Sequence, residues 1–358
     1  MKSQLNSRIV LLFSLILLFQ ACDWFGGEED KPQKKSTEFV FTVDTLKTLA
    51  QFQVNDLDVI DDTSFVITGY FIENNEDGSI KNEYNQIWWG KKKGYEFKAE
   101  KTVSLNDSFD ESGQLLFWQG NTEYSVFGGG ASVAIKNGKQ YSYHFLIKNW
   151  GELNNSYYEH AELIRPGEFY LYGRNGSLVY YKDGTFTKIV TGTTLTISHS
   201  APSPNGSFYF YLSPKESNEP IDSTFYNAGI LKVNQTTIES IYLWSVLKQI
   251  DYPQFIHELL VERDSLFIYG NRGIYAYNDS SLSIIKKQFF SGASFLNLND
   301  GFTHLLGEIS YWQDGLNYKQ QLPNSIPLRD LYFMDYKNNR VTMINSRYNI
   351  ITGVRRDE

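Results

Sequence analysis

Cysteine, methionine, proline and histidine are all scarce in this chain: 358 residues include 1 Cys, 3 Met, 9 Pro and 5 His. A lone thiol cannot close an internal disulfide or supply a cysteine-rich metal site. Positive charge is also short, with 33 Lys and Arg against 41 Asp and Glu and a formal net charge of −8. The basic residues are scattered. The clustered patch that a nucleic-acid or anionic-lipid surface requires is therefore missing. Long apolar runs are lacking too. Ile9–Phe19 (IVLLFSLILLF) holds eleven residues, whereas crossing a bilayer core takes about 20. Neither a G-x-S-x-G elbow nor an H-E-x-x-H helix occurs, and Gly128-Gly129-Gly130 ends a strand instead of opening a phosphate loop.

Residues 1–21 read as an export signal that ends just before Cys22. Lys2 and Arg8 supply a positive start, the short apolar run follows, and Gln20-Ala21-Cys22 ends it. The lone cysteine directly after the apolar core resembles the lipobox of bacterial lipoproteins. Ala21 fits the position before the cut, while Phe19 and Gln20 differ from the usual leucine and small residue. The resemblance implies cleavage before Cys22, acylation of its thiol and attachment to a lipid bilayer. Two or three acyl chains anchor stably because each buried CH₂ contributes about 0.8 kcal/mol. Residues 22–37 then read as a polar tether, too rich in charge, Gly and Pro to bury a core. Glu28-Glu29-Asp30 resembles the acidic patches that direct some lipoproteins to the cell surface. The expected location is thus the outer membrane, on its periplasmic or outward side. Losing residues 1–21 removes two positive charges and takes the net charge from −8 to −10.

The body, residues 38–358, repeats itself. Its clearest unit, residues 160–189, reads as four short strands separated by Arg165-Pro166-Gly167, Arg174-Asn175-Gly176 and Lys182-Asp183-Gly184. Pro-Gly, Asn-Gly and Asp-Gly supply the positive φ that tight hairpin turns demand. The second strand, FYLYG (Phe169–Gly173), has counterparts ending at Gly69, Gly128, Leu212, Gly270, Gly307 and Asn345, at a mean spacing of about 46 residues. Seven such units describe an all-β fold, a seven-bladed β-propeller. Six or eight blades are the alternatives. The last unit holds only three strands, so the unassigned strand Glu38–Leu49 is expected to fill it and close the ring. These Tyr- and Gly-rich repeats resemble propellers of uncharacterised bacterial lipoproteins. That resemblance implies a binding or scaffold role more than catalysis.

In such a blade the first-to-second and third-to-fourth turns share one face, and here they are uniformly short. Extra length gathers on the other face: Phe71–Gln86, Ala99–Gly113, Phe145–Glu159, Ser213–Gly229 and Ile241–Phe255. Long loops on a rigid scaffold are where function concentrates. These carry Trp150, Tyr157, Tyr158, Phe225, Tyr226, Trp244 and Tyr252, so Trp150, Tyr226 and Trp244 are candidate contacts for a glycan or protein partner.

Thirteen residues before each repeat end stand Asp56, Leu115, His160, His199, His257, Ser294 and Tyr332. Three consecutive histidines at one register place imidazoles at the start of three inner strands. They are candidate ligand-binding residues, and in one reading zinc ligands, since three His leave a fourth coordination position open. Interblade hydrogen bonding would produce the same register, and no cofactor is expected. Arg174 and Arg272 both closely follow their repeat-end glycines, Gly173 and Gly270, and are candidates for a bidentate anion contact. A sialidase-type Asp-box repeat does not occur. A membrane-anchored binding or scaffold module is therefore expected, with a glycan-active hydrolase or lyase as the alternative.

Overall fold

A computed structural model of the chain describes residues 37–356, apart from 46–51, 61–63, 92–97, 101–116, 122, 130–131, 147–157, 214–227, 244–255, 264, 271, 279–280, 288–291, 306–307, 324–330, 338 and 346–348. Residues 1–36, which include Cys22, the expected leader and all but the last residue of the expected tether, lie outside the described residues, as do Trp150, Tyr157, Phe225, Tyr226, Trp244 and Tyr252.

Among the described residues, twenty-eight strands build seven four-stranded antiparallel sheets. The chain opens with β1 (Phe39–Thr45). Blade 1 is β2 (Phe52–Val59), β3 (Ser64–Asn74), β4 (Ile80–Lys91) and β5 (Lys98–Glu100); blade 2 is β6 (Phe117–Gly120), β7 (Tyr124–Gly129), β8 (Ser132–Asn137) and β9 (Gln140–Phe145). Blade 3 is β10 (Tyr158–Arg165), β11 (Glu168–Gly173), β12 (Leu178–Lys182) and β13 (Thr185–Lys188); blade 4 is β14 (Thr196–Pro202), β15 (Phe208–Ser213), β16 (Gly229–Asn234) and β17 (Thr237–Leu243). Blade 5 is β18 (Ile256–Glu262), β19 (Ser265–Gly270), β20 (Gly273–Tyr277) and β21 (Leu282–Lys287); blade 6 is β22 (Gly292–Asn297), β23 (Asp300–Leu305), β24 (Glu308–Gln313) and β25 (Leu316–Lys319). Blade 7 joins β26 (Leu331–Lys337), β27 (Arg340–Asn345) and β28 (Asn349–Arg355) to β1, in the order β1-β28-β27-β26. Each inner strand (β2, β6, β10, β14, β18, β22 and β26) touches the next, and β26 returns to β2. The fold is thus a closed seven-bladed β-propeller with the N-terminal strand completing the last blade.

The second strands explain why the repeat is visible as a continuous apolar run. Successive side chains of a strand point to opposite faces, and here both faces are covered. Phe169 and Leu171 pack with Tyr124, Val126, Val133 and Ile135 of blade 2. Tyr170 and Tyr172 pack with Phe208 and Phe210 of blade 4. Each such burial contributes about 1.5–3 kcal/mol. The following hairpin turns at Asp183 and Gly184, with φ of 45° and 92°, a conformation that Asp-Gly adopts at low cost.

Closure rests on β1. Its register runs from Phe39 opposite Arg355 to Thr45 opposite Asn349. Phe39 sets its ring 4.7 Å from Phe302 and 5.0 Å from Tyr311 of blade 6, and its N–H donates to Gln320 Oε1 at 3.2 Å. The closing strand therefore binds its own blade through backbone and the neighbouring blade through aromatic packing.

Two sequence expectations change. Phe71–Gln86 is not a long loop. β3 and β4 stay in register out to Glu73 opposite Asn82, and only residues 75–79 turn, with Asn75 N–H donating to Ser79 O at 2.7 Å. The polar composition of this segment disguises a two-stranded ribbon whose backbone satisfies itself. Tyr158, expected in a loop, is a core residue of β10 with 2% exposure.

Candidate functional site

The inner strand of a propeller blade pairs on one side only, so its other edge leaves backbone N–H groups facing the channel. Buried donors of this kind must find acceptors. Here the side chains of the preceding blade supply them. Asp56 Oδ2 accepts from Trp118 N–H at 3.2 Å, Gln119 Oε1 accepts from Leu163 N–H, and Glu162 Oε2 accepts from Ser200 Oγ–H at 2.5 Å. Glu258 Oε2 accepts from Phe295 N–H at 2.6 Å, Ser294 Oγ from Tyr336 N–H at 3.0 Å, and Asp335 Oδ2 from Val59 N–H at 2.5 Å. Six blade junctions among the described residues are thus crossed by one inner-strand side chain reaching the next inner strand.

Two of these bridging carboxyls, Asp56 and Asp335, join Asp58 around a channel cavity of about 450 Å³, within the size range of small-ligand sites. Asp56 and Asp58 of β2, Gln119 of β6, His160 of β10, and Asp335 and Lys337 of β26 line it. Asp58, Gln119, Asp335 and Lys337 sit in the later half of their strands, so the cavity extends toward the face of short turns. Burial pushes the Asp56 carboxyl up to about 7 despite hydrogen bonds from the Trp118 and Leu57 backbone. Burial, reinforced by the Asp335 charge, raises Asp58 well above the usual carboxylate range. Burial likewise raises Asp335, Glu162 and Glu258. The site therefore holds protons that exposed carboxyls would release.

The histidines divide. In β2, β10 and β14 the residues opposite the next-to-last position of the second strand are Asp56, His160 and His199, paired with Thr68, Tyr172 and Tyr211. In β18 that place belongs to Glu258, opposite Tyr269. His257 falls on the bulge between Ile256 and Glu258. Counting thirteen residues misplaced it because blade 5 lacks both the second bulge of blade 3, between Leu163 and Arg165, and the longer first turn of blade 4, between Pro202 and Phe208. Trp118 and Phe333 hold the same level in blades 2 and 7, in place of Leu115, which lies outside the described residues, and Tyr332. His160 stacks on Tyr172 with ring centroids 5.2 Å apart. His199 meets Ser198 Oγ through Nδ1 at 3.0 Å and faces Tyr211 at 6.3 Å. Burial lowers the His160 pKa to about 4. It lowers that of His199 to about 3, with smaller contributions from His160 and His257. Both imidazoles are neutral at pH 7, the form that a metal would need. Yet among the described residues no three His, Cys, Asp or Glu side chains gather to hold a metal ion.

Arg174 lies in the 3₁₀ turn Arg174–Gly176 and pairs through Nε with Glu159 Oε1 at 2.5 Å within its own blade. Arg272 is half-buried in the β19–β20 turn. The two do not converge on the cavity lining. Sequence reading missed Asp58, Gln119, Glu162, Glu258, Asp335 and Lys337. Their signal in the sequence was a recurring carboxyl or amide on the inner strands, as in FQVNDLDV and YEHAELIR.

No protein-family model matches the chain, and no curated protein matches it. Solved structures do. YCF48 bound to a D1 peptide matches with a TM-score of 0.59 at 12% identity, covering 88% of this chain and 97% of that one. Virginiamycin B lyase from Staphylococcus aureus matches with a TM-score of 0.60 at 10% identity, covering 88% and 99%. The WD40 β-propeller domain of Doa1 matches with a TM-score of 0.54 at 11% identity, covering 90% and 97%. At these identities the likeness is one of fold, and the fold is the β-propeller.

Proposed function

We propose that this chain is a membrane-anchored extracytoplasmic binding or scaffold module, held to the bilayer through acylated Cys22. Its propeller face of long connections would engage a protein or glycan partner. One observation carries the reading: chain length beyond the four-stranded minimum is spent on a single face. The strands of the β3–β4 ribbon outrun β2 and β5 there, and residues 101–116, 147–157, 214–227 and 244–255 connect strand ends of that same face. A rigid scaffold with elaboration on one rim is how binding surfaces are commonly built. Two of the fold neighbours, YCF48 bound to a D1 peptide and BBS1N in complex with ARL6DN, were solved with partners, which supports the reading by analogy of fold.

A glycan-active hydrolase or lyase is the second reading, favoured by the carboxyls in the channel cavity. It is weakened by their commitment: Asp56 and Asp335 already accept backbone hydrogen bonds from adjacent blades. Photo-crosslinking separates the faces. A photoreactive residue at Asp77, in the ribbon turn, should capture partner from cell envelope, whereas one at Asp183, in a short turn of the opposite face, should not. Capture from Asp183 alone would overturn the proposal. A glycan array probed with residues 22–358 decides between glycan and protein.

A further inference from the structure

The junction between blades 7 and 1 differs from the other five bridged junctions in carrying two carboxyl groups in mutual contact. Asp335 Oδ2 accepts the Val59 N–H at 2.5 Å, and the Asp335 and Asp58 side chains hydrogen-bond to each other. Two carboxylates in hydrogen-bond contact cannot both be ionised without strong repulsion. One proton must therefore lie between them. Its place follows from the donors: Asp335 already accepts a backbone N–H, so Asp58 carries the proton and donates it. The two strands that meet here lie at opposite ends of the propeller sequence, so β26 and β2 are held together by packing and by these side chains.

We infer that the Asp58–Asp335 pair is a proton-controlled clasp: with one proton shared it holds β26 against β2, and loss of that proton loosens the seam beside the channel cavity. The groups facing the pair set its balance. Asp56, two residues along β2, opposes a second negative charge. Lys337, two residues along β26 and exposed, favours ionisation. Glu258 of β18 senses the Asp335 charge, and His160 of β10 lines the same cavity as a neutral imidazole. The cavity gives the Asp58 proton a path to solvent, so the clasp responds to the pH outside. A protein exported beyond the cytoplasm meets that variation directly.

Amide hydrogen exchange of the mature protein, corrected for intrinsic pH dependence, tests this. Protection of the Val59 amide, measured relative to the Leu171 amide in blade 3, should fall about tenfold or more between pH 5 and 8. In Asp58→Asn, which keeps a donor but cannot ionise, the ratio should stay flat. An unchanging ratio in the wild type overturns the clasp, as does the same fall in Asp58→Asn. Should Asp58→Asn fail to fold, the wild type still decides: the Asp58 carboxyl carbon must titrate above the ordinary aspartate range by NMR. Titration within that range sinks the inference.

Discussion

The Arg355 guanidinium donates from Nη2 to Asp300 Oδ1 at 3.2 Å, joining β28 of blade 7 to β23 of blade 6. The same nitrogen reaches Tyr311 Oη at 2.5 Å and Tyr336 Oη at 2.6 Å, and both tyrosines also meet Asp300. With side-chain exposures of 3% and 12%, the pair is shielded from water, so removing one partner strands the other. Arg355→Ala should cost about 3–5 kcal/mol. Arg165 and Glu168 form a closer pair, but Arg165 is 65% exposed, and Arg165→Ala should cost about 0–1 kcal/mol. Urea denaturation of both variants checks the contrast. Equal losses would mean that the Arg355 network contributes no more than a surface pair.

Deleting residues 38–45 should damage the body far more than deleting residues 23–37. The first deletion removes β1, exposes the edge of β28 and uncovers the aromatic cluster around Phe39, Phe302, Tyr311 and Tyr336. Burial of Phe39 and Phe41 alone contributes about 1.5–3 kcal/mol each. The measurement is the denaturation midpoint of each truncated protein. Similar midpoints would show that the ring does not need its closing strand.

Stability should be greatest at mildly acidic pH and decline toward pH 7.5. Asp56, Asp58, Asp335, Glu162 and Glu258 all have raised pKa values in the folded state, Asp56 near 7. Between about pH 4, where unfolded carboxyls ionise, and those raised values, the folded chain retains protons that the unfolded chain has lost. Stability then falls as pH rises, by about 1.4 kcal/mol per pH unit for each proton of imbalance. Lowered histidine values at His144, His160 and His199 act in the opposite direction below about pH 6.5. Five raised carboxyls outnumber three histidines in that window, and above it the carboxyls act alone. Thermal melting from pH 4.5 to 8 checks the sign, and Asp58→Asn should lessen the decline. A melting temperature that climbs steadily to pH 8 contradicts the assignment.

Cys22→Ser should abolish membrane attachment and leave the body folded, because the tether adds no core and the chain has no second thiol. Membrane fractionation and labelled palmitate incorporation give the answer. Unchanged partitioning of the mutant, or label on it, would remove Cys22 as the anchor.

Much of the architecture is written locally. The FYLYG run of Phe169–Gly173 and the Asp183-Gly184 turn specify strand and hairpin from a few adjacent residues, since turn geometry and strand burial are short-range matters. Even the long-range placing of β1 in the last blade was legible, because a three-stranded last unit left one place for a spare strand. What tertiary structure alone decided was which side chains meet. His257 and Glu258 exchange roles because blade 5 joins its first two strands with one residue fewer than blades 3 and 4, an offset that residue counting cannot see. The ribbon of residues 71–86 looks like a polar loop because its strands are held by backbone pairing rather than by an apolar pattern. Val59 and Asp335 stand 276 positions apart and meet only when the ring closes. Their contact depends on the summed geometry of all seven blades, and no local segment carries that information.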